Sequence, residues 1–203
     1  KLIRLNSDGS IDETFDTGTG PAGSCSLTFL PNGKIFLFGD VSTFNGESYN
    51  NTLMLNPDGS VDESFTSLSI TYSLAGGQLV MSNGKIVLFG QITAPTSGIV
   101  VINPDGTLDT GFNTGTGFEG PAPFGQSYAP TYISSAVEDN GKLLVNGTPW
   151  IYNGTIFPKL MRLNMDGTID TTFNVGKGLI DSGYCKIHKN DDEYLIVGIF
   201  IAF

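Results

Sequence analysis

The sequence predicts an all-β chain, a β-propeller of four-stranded antiparallel blades, and three observations predict it. First, the pattern N-x-D-G-[ST]-h-D-x-x-F, with h aliphatic, is written four times, at Asn6–Phe15, Asn56–Phe65, Asn103–Phe112 and Asn164–Phe173. Such recurrence marks an array of one supersecondary unit. Second, another turn signal returns in constant phase with the first, as Asn32-Gly33-Lys34, Asn83-Gly84-Lys85 and Asn140-Gly141-Lys142. Third, the segments between these turns are short and apolar or alternate with period two, and none has the amphipathic period of a helix. Antiparallel four-stranded units of about 45 residues are propeller blades, whereas solenoid repeats of that length are mostly helical. A sandwich could use the same strands, but it would not require the turns to return in phase.

The elements follow in order. Lys1 to Leu5 is a short apolar segment that enters Asn6-Ser7-Asp8-Gly9 and leaves through Ser10 to Phe15. Asp-Gly between two strand-like runs signals a hairpin, because Gly accepts positive φ and Asp tolerates it. Residues 16–23, rich in Gly and Thr with Pro21, break the pattern, and Ser24 to Phe29 then alternates as a half-buried strand, a. Asn32-Gly33 turns the chain into Ile35 to Gly39, strand b, apolar enough to be buried on both faces. A polar loop, 40–51, leads to strand c at Thr52 to Leu55, and the Asp-Gly turn leads to strand d. The blades so defined are 24–65, 74–112 and 132–173, with a split blade from 184–203 plus 1–15. The fourth round has Asp191-Asp192-Glu193 where Asn-Gly-Lys stood.

The chain therefore opens on strands c and d and closes on a and b. Pairing these halves would close a ring of four blades, where Cys25 and Cys185 would sit on adjoining blades and a disulfide would be open to them. The other reading is a segment of a longer chain with more blades, which the mid-repeat ends favour. Otherwise the two cysteines, far apart and without ligand spacing, read as small buried hydrophobes.

Composition bounds the function. The 203 residues, 39% hydrophobic, suffice for a sizeable core. Lys+Arg at 10 against Asp+Glu at 20 gives a formal net charge of −10, a field that repels nucleic-acid phosphates and anionic lipid. A nucleic-acid partner is disfavoured. The longest apolar run, 194–203, is half the roughly 20 residues that a membrane helix needs, so membrane insertion is not expected.

Arg4-Leu5-Asn6-Ser7-Asp8-Gly9-Ser10-Ile11-Asp12 with Phe15, together with Asn32-Gly33-Lys34-Ile35 and Gly39, resembles the delta-60 repeat, a β-propeller repeat of bacterial secreted or surface proteins and of phage virion proteins. The resemblance covers nearly the whole chain. Arg162 matches the family's strand-c arginine, while Met54, Val101 and the 191–193 turn depart from the pattern. The resemblance implies an extracellular, cell-surface or virion location, and it brings no catalytic residues.

The repeated acids, Asp12, Asp62, Asp109 and Asp170, could ligate calcium with Asp8, Asp58, Asp105 and Asp166. An EF-type loop, however, needs carboxylates at alternate positions and a distant Glu, and here Gly follows the first Asp directly. The favoured reading is structural: each Asp takes hydrogen bonds from turn N–H groups, beside the turn glycines Gly9, Gly59, Gly106 and Gly167. No cofactor is expected, with calcium as the alternative. The triplets Gly18-Thr19-Gly20, Gly115-Thr116-Gly117 and Gly176-Lys177-Gly178 precede no helix, so they read as turns between blades and not as phosphate cradles. The single histidine, His188, has no nucleophile spaced to partner it.

In an antiparallel meander the tight turns share one end and the long connections share the other. The long connections carry Phe44, Tyr49, Phe118, Phe124, Tyr128, Trp150 and Tyr152, a candidate binding face for a protein or glycan, with gap-filling between blades as the competing reading. The expectation is a non-enzymatic scaffold that docks such a partner, within a longer chain or larger assembly. Its alternatives are a lyase or hydrolase using the central channel, which would need acids or histidines along strand a, and a calcium-stabilised repeat.

Overall fold

The computed structural model describes residues 2–120, 132–148, 151–156, 159–176, 179 and 185–198, and no helix occurs among them. Two compact units make up the chain. The first comprises Lys1–Ile70 with Asn103–Thr107 and the second Thr71–Ile102 with Leu108–Phe203.

In the first unit, β1 (Cys25–Phe29), β2 (Ile35–Gly39) and β5 (Thr52–Leu55) form an antiparallel sheet in the order β1-β2-β5, and the b–c connection folds into its own hairpin of β3 (Thr43–Phe44) and β4 (Glu47–Ser48). All five residues of β2 are buried, as its uninterrupted apolar run requires. Asn45 and Gly46 both take positive φ, 54° and 86°, which two-residue hairpin turns demand.

In the second unit, β6 (Thr71–Val80), β7 (Ile86–Ala94) and β8 (Ile99–Ile102) form one sheet. The strands β9 (Phe118–Glu119), β10 (Ile133–Asp139), β11 (Lys142–Gly147), β12 (Ile151–Tyr152), β13 (Thr155–Ile156) and β14 (Leu160–Leu163) follow, and β10-β11-β14 makes the next sheet. A small sheet in the order β13-β12-β9 ties the b–c hairpin to the preceding connection. Last come β15 (Cys185–Asn190) and β16 (Glu193–Gly198), paired with each other. The turn between them survives the loss of Asn-Gly because Asp191 itself takes positive φ, at 49°.

The sheets β1-β2-β5, β6-β7-β8 and β10-β11-β14 are three-stranded where four strands were expected. Segment d is reduced to one bridge, Leu5↔Ile11, Leu55↔Val61, Ile102↔Leu108 and Leu163↔Ile169. The cause is the next residue. Asp12 Oδ1 accepts the N–H of Thr14, and the same bond joins Asp62 to Ser64, Asp109 to Gly111 and Asp170 to Thr172. The backbone N–H of each motif phenylalanine then turns back onto the carbonyl of the same Asp. A side chain that captures the backbone in this way ends the ladder after one pair.

Neighbouring sheets bury opposite faces. In the first unit Leu2 and Phe15 of the first hairpin pack on Ile35, Leu37, Leu53 and Leu55. In the second unit Val87, Phe89, Val101 and Phe112 pack on Leu143, Val145, Met161 and Leu163 of the following sheet, whose other face carries Leu144 and Leu160 against Cys185 and Ile187. Alternation along β11 and β14 thus gives one set of side chains to the preceding sheet and the other set to the next. Neither Cys25 nor Cys185 is in a disulfide.

Candidate functional site

The four motif copies fold alike, which follows from their local chemistry. In each, the first Asn donates through its side chain to the hydroxyl of Ser10, Ser60, Thr107 or Thr168, and the turn Asp accepts both the N–H and the O–H of that residue. These bonds hold the carboxyls of Asp8, Asp58, Asp105 and Asp166 below the usual carboxylate range.

The second Asp of the motif is the centre of a polar node. Its Oδ1 serves the turn, while Oδ2 meets a cation: Arg4 at 2.8 Å from Asp12, Lys34 at 2.5 Å from Asp62, Lys85 at 2.6 Å from Asp109, and Lys142 at 2.8 Å with Arg162 at 2.6 Å from Asp170. The lysines are those of the Asn-Gly-Lys turns, so the two sequence signals meet in space. Lys142 and Thr172 lower the Asp170 pKa, more than burial raises it, and Arg162 adds to the lowering. Burial pushes Asp62 and Asp139 up, but hydrogen bonds from Lys34 and Ser64 to the first, and from Tyr194, Arg162 and Lys189 to the second, bring both below the ordinary value. Arg162 further stacks on Phe173 at 4.6 Å, as Arg4 does on Phe15 at 4.8 Å.

A third repeated contact joins successive copies. The residue after the motif phenylalanine donates its N–H to the carbonyl of the next turn Asp: Asp16 to Asp58 at 2.9 Å and Thr66 to Asp105 at 2.7 Å in the first unit, and Asn113 to Asp166 at 3.0 Å in the second. The turn glycines lie against the same backbone. A Cβ on Gly59, Gly106 or Gly167 would fall 2.9, 2.1 or 2.2 Å from a carbonyl oxygen, while Gly9 has nothing within 4 Å.

The Gly-x-Gly turns hold asparagine side chains. Asn45 Oδ1 accepts the N–H of Gly20 at 3.0 Å, and Asn45 donates its own N–H to the Gly20 carbonyl; Asn153 donates likewise to Gly117, and its Oδ1 receives the N–H of Thr116. The expected binding face needs correction. Phe44, Phe118 and Tyr152 are buried, Tyr49 is packed against the core of the first unit, and the Tyr152 hydroxyl donates to the Gly167 carbonyl. Phe118 and Tyr152 stack at 4.5 Å. Phe44, Phe118 and Tyr152 lie on short strands that fold back onto the sheets, so they fill gaps, while Tyr49, just after β4, stays half-buried. Phe124, Tyr128 and Trp150 lie outside the described residues. The outer strands of the two b–c hairpins that form separate strands, Glu47-Ser48 and Thr155-Ile156, are exposed. His188 is exposed on β15. No group of three or more His, Cys, Asp or Glu gathers to hold a metal among the described residues.

No curated protein and no solved structure matches the chain. The sequence profile of a β-propeller domain of unknown function, DUF5122, matches residues 1–15, 30–65, 82–112 and 138–173, the segments that carry the Asp nodes and their lysines. With more than half of its length matched, the chain belongs to the DUF5122 β-propeller family.

Proposed function

We propose that the chain is a non-enzymatic propeller scaffold of a secreted, cell-surface or virion protein, docking a protein or a glycan at the loop end of its blades. The observation that supports this most directly is the Asp170 node: both carboxylate oxygens are engaged, by Thr172 on one side and by Lys142 and Arg162 on the other. The most strongly repeated chemistry of the chain is spent on holding hairpins and sheets together, and no cofactor enters this reading. Recognition falls to the exposed hairpin strands of the loop end, with Ile156 at 81% exposure the largest apolar group there, and to the 121–131 connection.

Glycan-array and pull-down binding would test it, comparing the wild type with Ile156→Asp and with a chain shortened within 121–131. Binding weakened by either change, with unaltered melting, is the expected result. Binding that survives both, or turnover of a captured glycan, would count against the reading. Melting with and without a calcium chelator is expected to be equal.

A further inference from the structure

We propose that the Asn140-Gly141 turn between β10 and β11 is a site of spontaneous backbone modification, where Asn140 loses ammonia and becomes aspartate or isoaspartate. The Gly141 nitrogen attacks Asn140 Cγ and forms a C–N bond; the Cγ–Nδ2 bond breaks, and the amide nitrogen leaves as ammonia with the proton from Gly141. Water then opens the succinimide ring at either of its two carbonyls. Glycine favours the attack because no Cβ hinders the approach of its nitrogen. Closure also needs a glycine N–H that is not spent on an acceptor, an asparagine side chain free to rotate, and exposure to solvent.

Six Asn-Gly pairs occur in the chain, and the fold sets them apart. Asn32-Gly33 and Asn83-Gly84 lie in three-residue loops, closed by Leu30 with Lys34 and by Met81 with Lys85. There Gly33 and Gly84 donate their N–H groups to the Leu30 and Met81 carbonyls, each at 2.9 Å, and Oδ1 of Asn32 and Asn83 accepts the N–H of Lys34 and Lys85 at 3.1 and 3.0 Å. Asn146 is buried on β11, where its amide is held between the Ser134 hydroxyl and the Lys159 carbonyl. Asn45 and Asn153 occupy two-residue loops, but their Oδ1 atoms are engaged by Gly20 and Thr116.

Asn140-Gly141 escapes all of these restraints. Asp139 pairs directly with Lys142, so the same Asn-Gly-Lys signal here closes a two-residue turn, with φ of 50° and 74°. In this tighter loop the Gly141 N–H meets no acceptor among the described residues, and both residues are exposed. The single bond of the Asn140 amide runs from Nδ2 to Asp139 Oδ1, at 3.3 Å. Two hydrogen bonds must open before Asn32 or Asn83 can close, which slows each about tenfold or more against Asn140.

The products act on the polar nodes beside the turn. Either one adds a carboxylate next to Asp139, which holds Arg162 at 2.6 Å and Lys189 at 3.1 Å. Isoaspartate also routes the backbone through Cβ, and the extra atom displaces Lys142 from Asp170, 2.8 Å away.

Peptide mapping of the folded chain during incubation at mildly alkaline pH tests the proposal, with aspartate and isoaspartate resolved by chromatography and mass, and with the same map made in urea. Asn140 is expected to convert first, at least tenfold ahead of Asn32 and Asn83, and the lead is expected to collapse in urea, where all six pairs are alike. Melting temperature should fall as the wild type ages and hold in Asn140→Gly, which keeps positive φ and has no amide to lose. Conversion at Asn140 no faster than at another pair in the folded chain, a lead that persists in urea, or a fall in melting that Asn140→Gly does not prevent would overturn it.

Discussion

Gly167 sits so close to Asn113 that a Cβ would fall 2.2 Å from the Asn113 carbonyl oxygen. The contact joins one motif turn to the chain leaving the previous copy, and it explains why the turn carries Gly where Asn alone would satisfy positive φ. Gly167→Ala is expected to cost roughly 3 kcal/mol, since strain at φ 86° and a backbone clash act together. Gly9→Ala has only the conformational cost, about 1 kcal/mol. Urea unfolding of the two variants side by side checks the difference.

Asp62, Asp139 and Asp170 give stability a defined acid limit. Each has a folded-state pKa below the ordinary 3.8, so its stabilisation is complete above that value and is lost as pH falls through the folded-state pKa. Melting temperature is expected to hold from neutral pH down to about 5 and then to drop steeply below about 4. Asp170→Asn removes part of the slope. Asn keeps the bond from Thr172 but leaves Lys142 without its anion and Arg162 with Asp139 alone.

The turns were legible in the sequence because their causes are local. Asn32-Gly33 and Asp58-Gly59 act through φ and through Asx hydrogen bonds that span two residues, and a buried run such as Ile35–Gly39 advertises its own environment. Segment d misled because strand propensity competes with the Asp62 side chain. The Asp-x-Ser spacing of 62–64 carried that signal. The loop aromatics misled for another reason: a loop assignment says nothing of which way Phe44 and Tyr152 face. The Asn45-Gly46 and Asn153-Gly154 pairs mark hairpins there, and a hairpin alternates its side chains between core and solvent. The Lys34–Asp62 pair spans 28 residues in sequence, and only the fold brings it together.

Phe118 and Tyr152 should behave as core. Phe118→Ala is expected to destabilise the second unit by about 3–5 kcal/mol. Tyr152→Phe removes one buried hydrogen bond to Gly167 and is expected to cost about 1–3 kcal/mol, because the carbonyl left behind is desolvated. Calorimetry of both variants decides: unchanged melting with impaired partner capture would restore these side chains to a binding face.

Asn45 and Asn153 offer the sharpest separation of side chain from backbone. Both hold positive φ, 54° and 46°, so an alanine variant would mix strain with lost hydrogen bonds, whereas glycine keeps the turn and deletes only the amide. Asn45→Gly removes the acceptor for the Gly20 N–H at 3.0 Å and for the Thr19 hydroxyl at 3.2 Å. Asn153→Gly removes the acceptor for Thr116, a longer contact at 3.4 Å. The loss is expected to be about 1–2 kcal/mol for Asn45→Gly and smaller for Asn153→Gly, because length weakens the bond that is lost. Amide hydrogen exchange resolves the order, with Gly20 expected to lose more protection in its variant than Thr116 in the other. Equal protection in variant and wild type at both positions would mean that the Gly-x-Gly turns hold their shape without the asparagines, through the Gly20-to-Thr17 and Gly117-to-Thr114 backbone bonds alone.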